Sequence, residues 1–157
     1  MATTPSPLAA FRMRVPIPVR FRDLDSLGHV NNAVYFTYCE VARNMYWKKL
    51  FGLRRLTDVN FILAHAELDY RAQANGDNDV VVGIRTSFIG NTSFGFEYAV
   101  VEEGGVLLAE GRSVQVTFDY KANTKVAVPA SVRDQILEYE GAENVKMGGA
   151  PTGKAGA

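Results

Sequence analysis

The sequence predicts an α+β domain in which a curved antiparallel sheet wraps one long central helix. Three observations carry that expectation. Residues 12–22 alternate apolar and polar side chains, the period-two mark of a strand with one buried face. Residues 33–50 switch to helical spacing and are apolar round most of the circumference, as in a helix enclosed by other structure. Everything after residue 60 divides into strand-length runs joined by short turn sequences, which implies antiparallel hairpins.

In the first strand Met13, Val15, Ile17, Val19 and Phe21 hold one parity, and Arg12, Arg14, Arg20 and Arg22 the other. Pro16 and Pro18 share the polar parity and cannot donate to a ladder, which places this strand at a sheet edge. Residues 23–32 break the alternation and read as a loop. In the helix, Thr37, Glu40, Asn44 and Lys48 form a narrow wet stripe. Asn31 or Asn32 suits its N-cap, and Gly52 its C-cap. Strands are expected over 61–71, 80–89, 93–101 and 107–118, with turns at 75–78, 90–92 and 103–105. On the last of them Ser113, Gln115 and Thr117 oppose Val114, Val116 and Phe118, so the polar set is expected to face water. A short helix follows Pro129, over 131–139. Residues 1–10 are expected to be a flexible N-terminus and 11–140 a single domain. Residues 141–157, with five of the fourteen glycines and almost nothing to bury, are expected to be a disordered Gly/Ala-rich tail. Phe61, Phe88, Phe94 and Phe96 line either the core or an acyl pocket, and periodicity does not separate the two.

Composition narrows the function classes. The chain has 157 residues with 17 basic and 17 acidic side chains and a single cysteine. One cysteine forms no internal disulfide and no cysteine-rich metal site, so a reducing compartment is expected. Residues 1–10 carry neither a basic leader nor an apolar stretch, and no run approaches the ~18 apolar residues of a membrane span. A cytoplasmic chain without membrane or nucleic-acid partners is the expectation, since zero net charge holds no polyanion. The zero is uneven: residues 1–60 hold nine Lys/Arg against four Asp/Glu, a balance of +5, and the remainder balances at −5.

The chemistry concentrates in the loop that enters the helix. Asp23, Asp25, His29, Asn31 and Asn32 lie within ten residues, where unpaired N–H groups and the helix dipole favour negative charge. That combination is a candidate oxyanion site beside an acid or base. It is equally compatible with Asp25 and Asn31 capping the helix and His29 packing in the loop.

The pattern Asp25-x-x-Gly28-His29-Val30-Asn31-Asn32-x-x-Tyr35-x-x-x-x-Glu40-x-Ala42-Arg43 closely resembles the signature of hotdog-fold acyl-CoA thioesterases of the 4-hydroxybenzoyl-CoA thioesterase type. Its His-Val-Asn-Asn version is most similar to the bacterial long-chain acyl-CoA thioesterases and is shared in part with plant acyl-carrier-protein thioesterases. The similarity spans roughly residues 12–135 and takes in Asp69-Tyr70-Arg71. The resemblance implies a hotdog fold, no cofactor and no metal, and a homo-oligomer, dimer or tetramer, joined edge to edge. It also implies that Asp25 acts on the thioester carbonyl as nucleophile or general base, and that an amide near Asn32 polarises the carbonyl oxygen. His29 is assigned a hydrogen bond to the carbonyl or to water. Asn31, Tyr35 and Arg71 are assigned to substrate, Arg71 toward the phosphates of CoA.

Other candidates have plainer readings. Glu40 stands about 12 Å down the helix from Asn32 at 1.5 Å per residue, too far to share a carbonyl with Asp25 in one subunit, and pairs on paper with Arg43. Cys39 reads as a buried filler and His65 as a structural strand residue. Asp23 fits the motif spacing less well than Asp25. The run Gly148–Lys154 imitates a phosphate loop but lacks the Ser/Thr, the strand and the helix such a loop needs. Asn91-Thr92-Ser93 reads as a turn. Hydrolysis of an acyl-CoA to acid and free CoA is the leading function. The alternatives are an acyl-carrier-protein thioesterase, a hotdog (de)hydratase, whose Asp-to-His spacing of five does not occur here, and a non-catalytic acyl-thioester-binding module.

Overall fold

The computed structural model describes residues 5–52 and 60–149. Strand β1 (Met13–Ile17) and a 3-10 turn (Phe21–Asp23) lead into helix α1 (Val34–Phe51). Strands β2 (Phe61–Tyr70), β3 (Val80–Ile89), β4 (Ser93–Glu102) and β5 (Leu107–Asp119) follow, then β6 (Thr124–Lys125), helix α2 (Ala130–Glu140) and β7 (Lys146–Met147). The main path runs β1-β3-β4-β5-β2, with β6 beside β5 and β7 beside β3. All pairs are antiparallel except β3 with β7. The expected architecture is present: one antiparallel sheet holding one long helix.

The core lies between the inner face of the sheet and α1. Tyr38, Ala42, Tyr46 and Trp47 of the helix meet Val80, Val82, Ile84, Phe94 and Phe96 of β3 and β4, all nearly or fully buried. Trp47 stands edge-on to Phe94 at 5.4 Å and Tyr46 edge-on to Phe96 at 5.0 Å. Burying each such ring contributes about 2–3 kcal/mol. Phe94 and Phe96 are thus core residues with Phe61 packed against them, whereas Phe88, also buried, lines a depression with Phe96, Arg112 and Val114.

Several expectations are corrected. The first strand stops at Ile17 rather than continuing to 22, because Pro18 has no N–H and the Val19 amide turns away to Asp79 Oδ1. Phe21, assigned to the buried parity, is 93% exposed. Helix α1 starts at Val34 behind Ala33, and neither asparagine caps it through its side chain; Asn31 Oδ1 instead accepts from the Ala33 amide. Gly52 does end the helix in the left-handed region, at φ 60°. The wet stripe is wider than its polar residues, since Phe36, Val41 and Met45 are also exposed. Glu40 and Arg43 form no ion pair, because the Arg43 guanidinium turns inward to donate to the Tyr98 hydroxyl.

Strand β5 inverts the expected polarity. Ser113, Gln115 and Thr117 are buried and Val114, Val116 and Phe118 are not. Part of the buried set is wired, with Gln115 Nε2 donating to Ser113 Oγ, which in turn meets the Tyr98 hydroxyl, while Gln115 Oε1 and Thr117 Oγ1 have no partner among the described residues. That pairing offsets part of the desolvation cost that makes a polar face an improbable inner face. Among the described residues the segments flanking the sheet also carry structure. Residues 6–11 turn onto the outer face of the sheet, where Leu8 and Phe11 pack on Ala99 and Val101. A Cβ on Gly83 would stand 2.7 Å from the Phe11 ring. Beyond Glu140, residues 142–144 form a 3-10 turn, Val145 is buried and β7 pairs with Phe88 and Ile89. Residues 1–4 and 150–157 of the expected flexible ends lie outside the described residues.

Candidate active site

The loop entering α1 is a small hairpin hung from two buried anchors. At its base Asp23 is 2% exposed. Its carboxylate accepts from the Arg20 amide at 2.9 Å, from the Arg20 guanidinium at 2.9 and 3.2 Å, and from the Tyr38 hydroxyl at 3.0 Å. Burial alone would raise this carboxyl, but the hydrogen bonds from Arg20 and Tyr38 overcome it and hold it below the ordinary value. Burial and the same carboxylate push the Tyr38 hydroxyl up. The second anchor is the amide of Val30, which donates to Ala74 O at 2.8 Å, while Asn31 N donates back to Asp23 O at 2.8 Å.

Between the anchors the chain turns tightly around Asp25. The Asp25 amide donates to His29 O at 2.7 Å and Gly28 N donates to Asp25 O at 3.1 Å. Gly28 holds φ 77°, a conformation that a side chain resists. Asp25 Oδ1 accepts from the amides of Leu27 at 2.8 Å and His29 at 3.1 Å. Among the described residues nothing donates to its Oδ2. Asp25 thus stands exposed at the tip with one oxygen fixed and the other open.

The loop ends at Asn31, Asn32 and Ala33, all exposed. Asn31 Oδ1 and O are taken by the amides of Ala33 and Val34. The Asn32 amide has no acceptor among the described residues, and it lies just ahead of the helix, where N–H groups go unpaired. The Asn32 carbonyl is held by the hydroxyl of Tyr70 at 2.8 Å. The Tyr70 ring packs edge-on against Tyr35 at 5.3 Å. Residue 70 ends β2, so this bond ties the edge strand to the start of the helix.

Of the six residues expected at the site, Asp25, His29, Asn31 and Asn32 lie on this one loop. His29 is half-buried and bridges through its backbone to Asn75. Tyr35 is 3% exposed and belongs to the core between Tyr38 and Tyr70, so it supports the loop rather than facing solvent. Arg71 follows Tyr70, but its guanidinium is engaged by Glu110 at 2.9 Å, with Asp69 at 3.9 Å. Cys39 is buried, which pushes its thiol up to about 12 against the opposing charge of Arg43. Tyr70 is the residue that sequence reasoning missed: it was visible in Asp69-Tyr70-Arg71, yet only the register of β2 brings it to the helix.

An antiparallel sheet rolled around one helix, whose N-terminus opens on an acidic loop, defines a hotdog domain. The chain belongs to the Thioesterase-like superfamily, whose family model matches residues 19–136. Among solved structures it is similar to a thioesterase from Thermus thermophilus complexed with coenzyme A and Zn. That match has 36% identity and a TM-score of 0.77 over 85% of this chain and 98% of the other. A thioesterase superfamily protein from Jannaschia sp. matches with 26% identity and a TM-score of 0.76 over 85% of this chain and 86% of its own. The uncharacterized protein YsmA of Bacillus subtilis (strain 168) is 30% identical over 82 residues, 52% of this chain. The chain spans about half of that curated relative, 56% of its length. Among the described residues no helix is long and apolar enough to cross a membrane.

Proposed function

We propose that the protein hydrolyses acyl-CoA thioesters to a carboxylic acid and free CoA, in the manner of the 4-hydroxybenzoyl-CoA thioesterase type with its His-Val-Asn-Asn loop. The observation that carries this reading is the Asp25 carboxylate, held by two backbone amides through Oδ1 with Oδ2 open, on the same short loop as the unclaimed Asn32 amide. Membership of the thioesterase-like superfamily and similarity to a thioesterase complexed with coenzyme A support it.

In the general-base form, Asp25 Oδ2 takes a proton from water as the water oxygen bonds to the carbonyl carbon. The carbonyl electron pair moves onto oxygen, where the Asn32 N–H stabilises it. Collapse of that intermediate expels the CoA thiolate, which recovers the proton. In the nucleophilic form Asp25 Oδ2 itself bonds to the carbonyl carbon, expels the thiolate and leaves an anhydride that water cleaves. His29 hydrogen-bonds the carbonyl or the water in either form, and the Asn31 side chain holds the loop. A thioester is activated enough that neither form requires a metal.

The active unit in this reading is a homo-oligomer. Phe36, Val41 and Met45 on α1 and Ile62 and Leu63 on the edge strand β2 are exposed large apolar side chains that a second copy would cover.

The test is free-thiol release from short, long and aromatic acyl-CoAs and from matching acyl-carrier-protein thioesters, with Asp25→Asn beside the wild type. Cleavage of acyl-CoA that vanishes in Asp25→Asn is expected. A wild type that cleaves none of the panel rejects the activity, and an undiminished variant rejects the site.

A further inference from the structure

We propose a second anion-binding site, for a small organic phosphate, on the outer face of the sheet between β1 and the end of α2. It goes beyond the thioesterase reading and does not depend on it. A depression of about 470 Å³ is lined there by Arg12, Arg14 and Arg85, with Asn144 and Glu140 at its margin. A second depression of the same size shares Arg12 with it and adds Lys49, Tyr139 and Glu138.

Three features distinguish this cluster from an ordinary charged surface. The first is register. Met13 pairs with Ile84, which puts Arg12, one residue before the strand, in the same depression as Arg85, and like charges brought together repel. Arg85 is relieved by Glu97 at 2.6 Å, whereas Arg12 and Arg14 have no carboxylate partner among the described residues. The second is pre-organisation. Arg12 donates to the Tyr139 carbonyl, and Arg14 donates to the carbonyls of Phe11 at 3.2 Å and Leu8 at 3.0 Å. Aromatic faces hold the same groups, with Arg85 over Phe11 at 5.5 Å, and Arg12 and Lys49 over Tyr139 at 5.7 and 5.8 Å. Groups fixed by the fold lose little freedom on binding.

The third is spare donor capacity. Among the described residues Arg12 keeps Nε and Nη2, Arg14 keeps Nη1 and Arg85 keeps Nη1 without acceptors. Forked guanidinium donors match phosphate oxygens. Glu140 does not cancel the site: it is 6% exposed, and its Oε1 accepts from the Tyr46 hydroxyl at 2.7 Å and the Thr86 amide at 2.9 Å. Three of the nine basic residues of 1–60, Arg12, Arg14 and Lys49, are gathered here, at the opposite end of α1 from Asp25.

The test is calorimetric titration of the full chain with adenosine 3′,5′-bisphosphate and, separately, with inorganic phosphate, at low and high salt. Saturable binding that weakens with salt is expected for the bisphosphate. Arg12→Gln combined with Arg14→Gln should weaken it at least tenfold. Because those arginines also hold backbone, Lys49→Glu serves as the second variant: it touches no carbonyl and should weaken binding at least threefold with the fold intact. Asp25→Asn should bind as the wild type does. Absence of saturable bisphosphate binding overturns the proposal, as does binding that neither set of substitutions weakens or that Asp25→Asn abolishes. Phosphate alone binding as tightly as the bisphosphate would support a single-phosphate site.

Discussion

Asp23 and Asp25 stand two residues apart in one loop and occupy opposite physical situations. Asp23 is buried, and both its oxygens are saturated by Arg20 and Tyr38. Asp25 is exposed, and only one of its oxygens is engaged, by amides of its own turn. The first carboxylate holds the structure and has nothing left to offer a substrate. The second is held by the structure and keeps an oxygen without a donor among the described residues, the one the proposed hydrolysis would use. Residue type and proximity to the helix do not separate the two; the count of donors already satisfied does.

The sharpest way to break this contrast is to neutralise each carboxylate in turn. Asp25→Asn retains an Oδ1 for the Leu27 and His29 amides, so the fold should persist while thiol release falls at least ~10²-fold. Thiol assays with urea unfolding on the same samples check both halves. Asp23→Ala should do the reverse, lowering stability by about 3 kcal/mol as Arg20 and the Tyr38 hydroxyl lose their acceptor. Its remaining folded fraction should stay active, and a variant as stable as wild type would remove Asp23 from its role as anchor.

Acid should separate the two as well. Because Asp23 titrates below its unfolded value in the native state, its contribution is complete above about pH 5, where the unfolded carboxyl is charged. It is lost as pH falls through the lower native value. The stability gap between wild type and Asp23→Asn should therefore narrow from pH 7 to pH 3 in paired urea melts, and a gap that widens would reverse the assignment. A smaller effect is expected at Tyr70→Phe, which frees the Asn32 carbonyl: one hydrogen bond, about 1.4 kcal/mol or tenfold in kcat, with KM little changed. Glu40→Gln sits on the exposed face of α1 without an ion pair and should cost less than threefold in turnover. A collapse matching Asp25→Asn would move the catalytic carboxylate onto the helix.

The architecture was legible because it rests on periodicity. Alternation in β1, the apolar α1 and the turn residues between β3, β4 and β5 each express burial directly in residue order. Legibility failed where burial and polarity part company. Gln115 and Ser113 lie inside because they bond each other and Tyr98, and Phe21 lies outside because the chain turns after Pro18. Neither fact can be written in a hydrophobic pattern. For the site, the loop residues could be read since they are contiguous. Tyr70 could not, because its partner is 38 positions away, and the fate of Arg71 depended on Glu110 across the ladder.

The two margins of the sheet differ in one further respect. Strand β1 is five residues long with Pro16 inside it and Pro18 just past its end, whereas β2 runs ten residues along the other edge without a proline. A short margin carrying a proline offers a further strand fewer donors than a long margin without one. If copies of this chain join edge to edge, as the proposed function would have it, β2 against β2 about a two-fold axis is the pairing this asymmetry favours. Such a union would leave the proline-bearing margins outside, where they would discourage sheet extension beyond two chains.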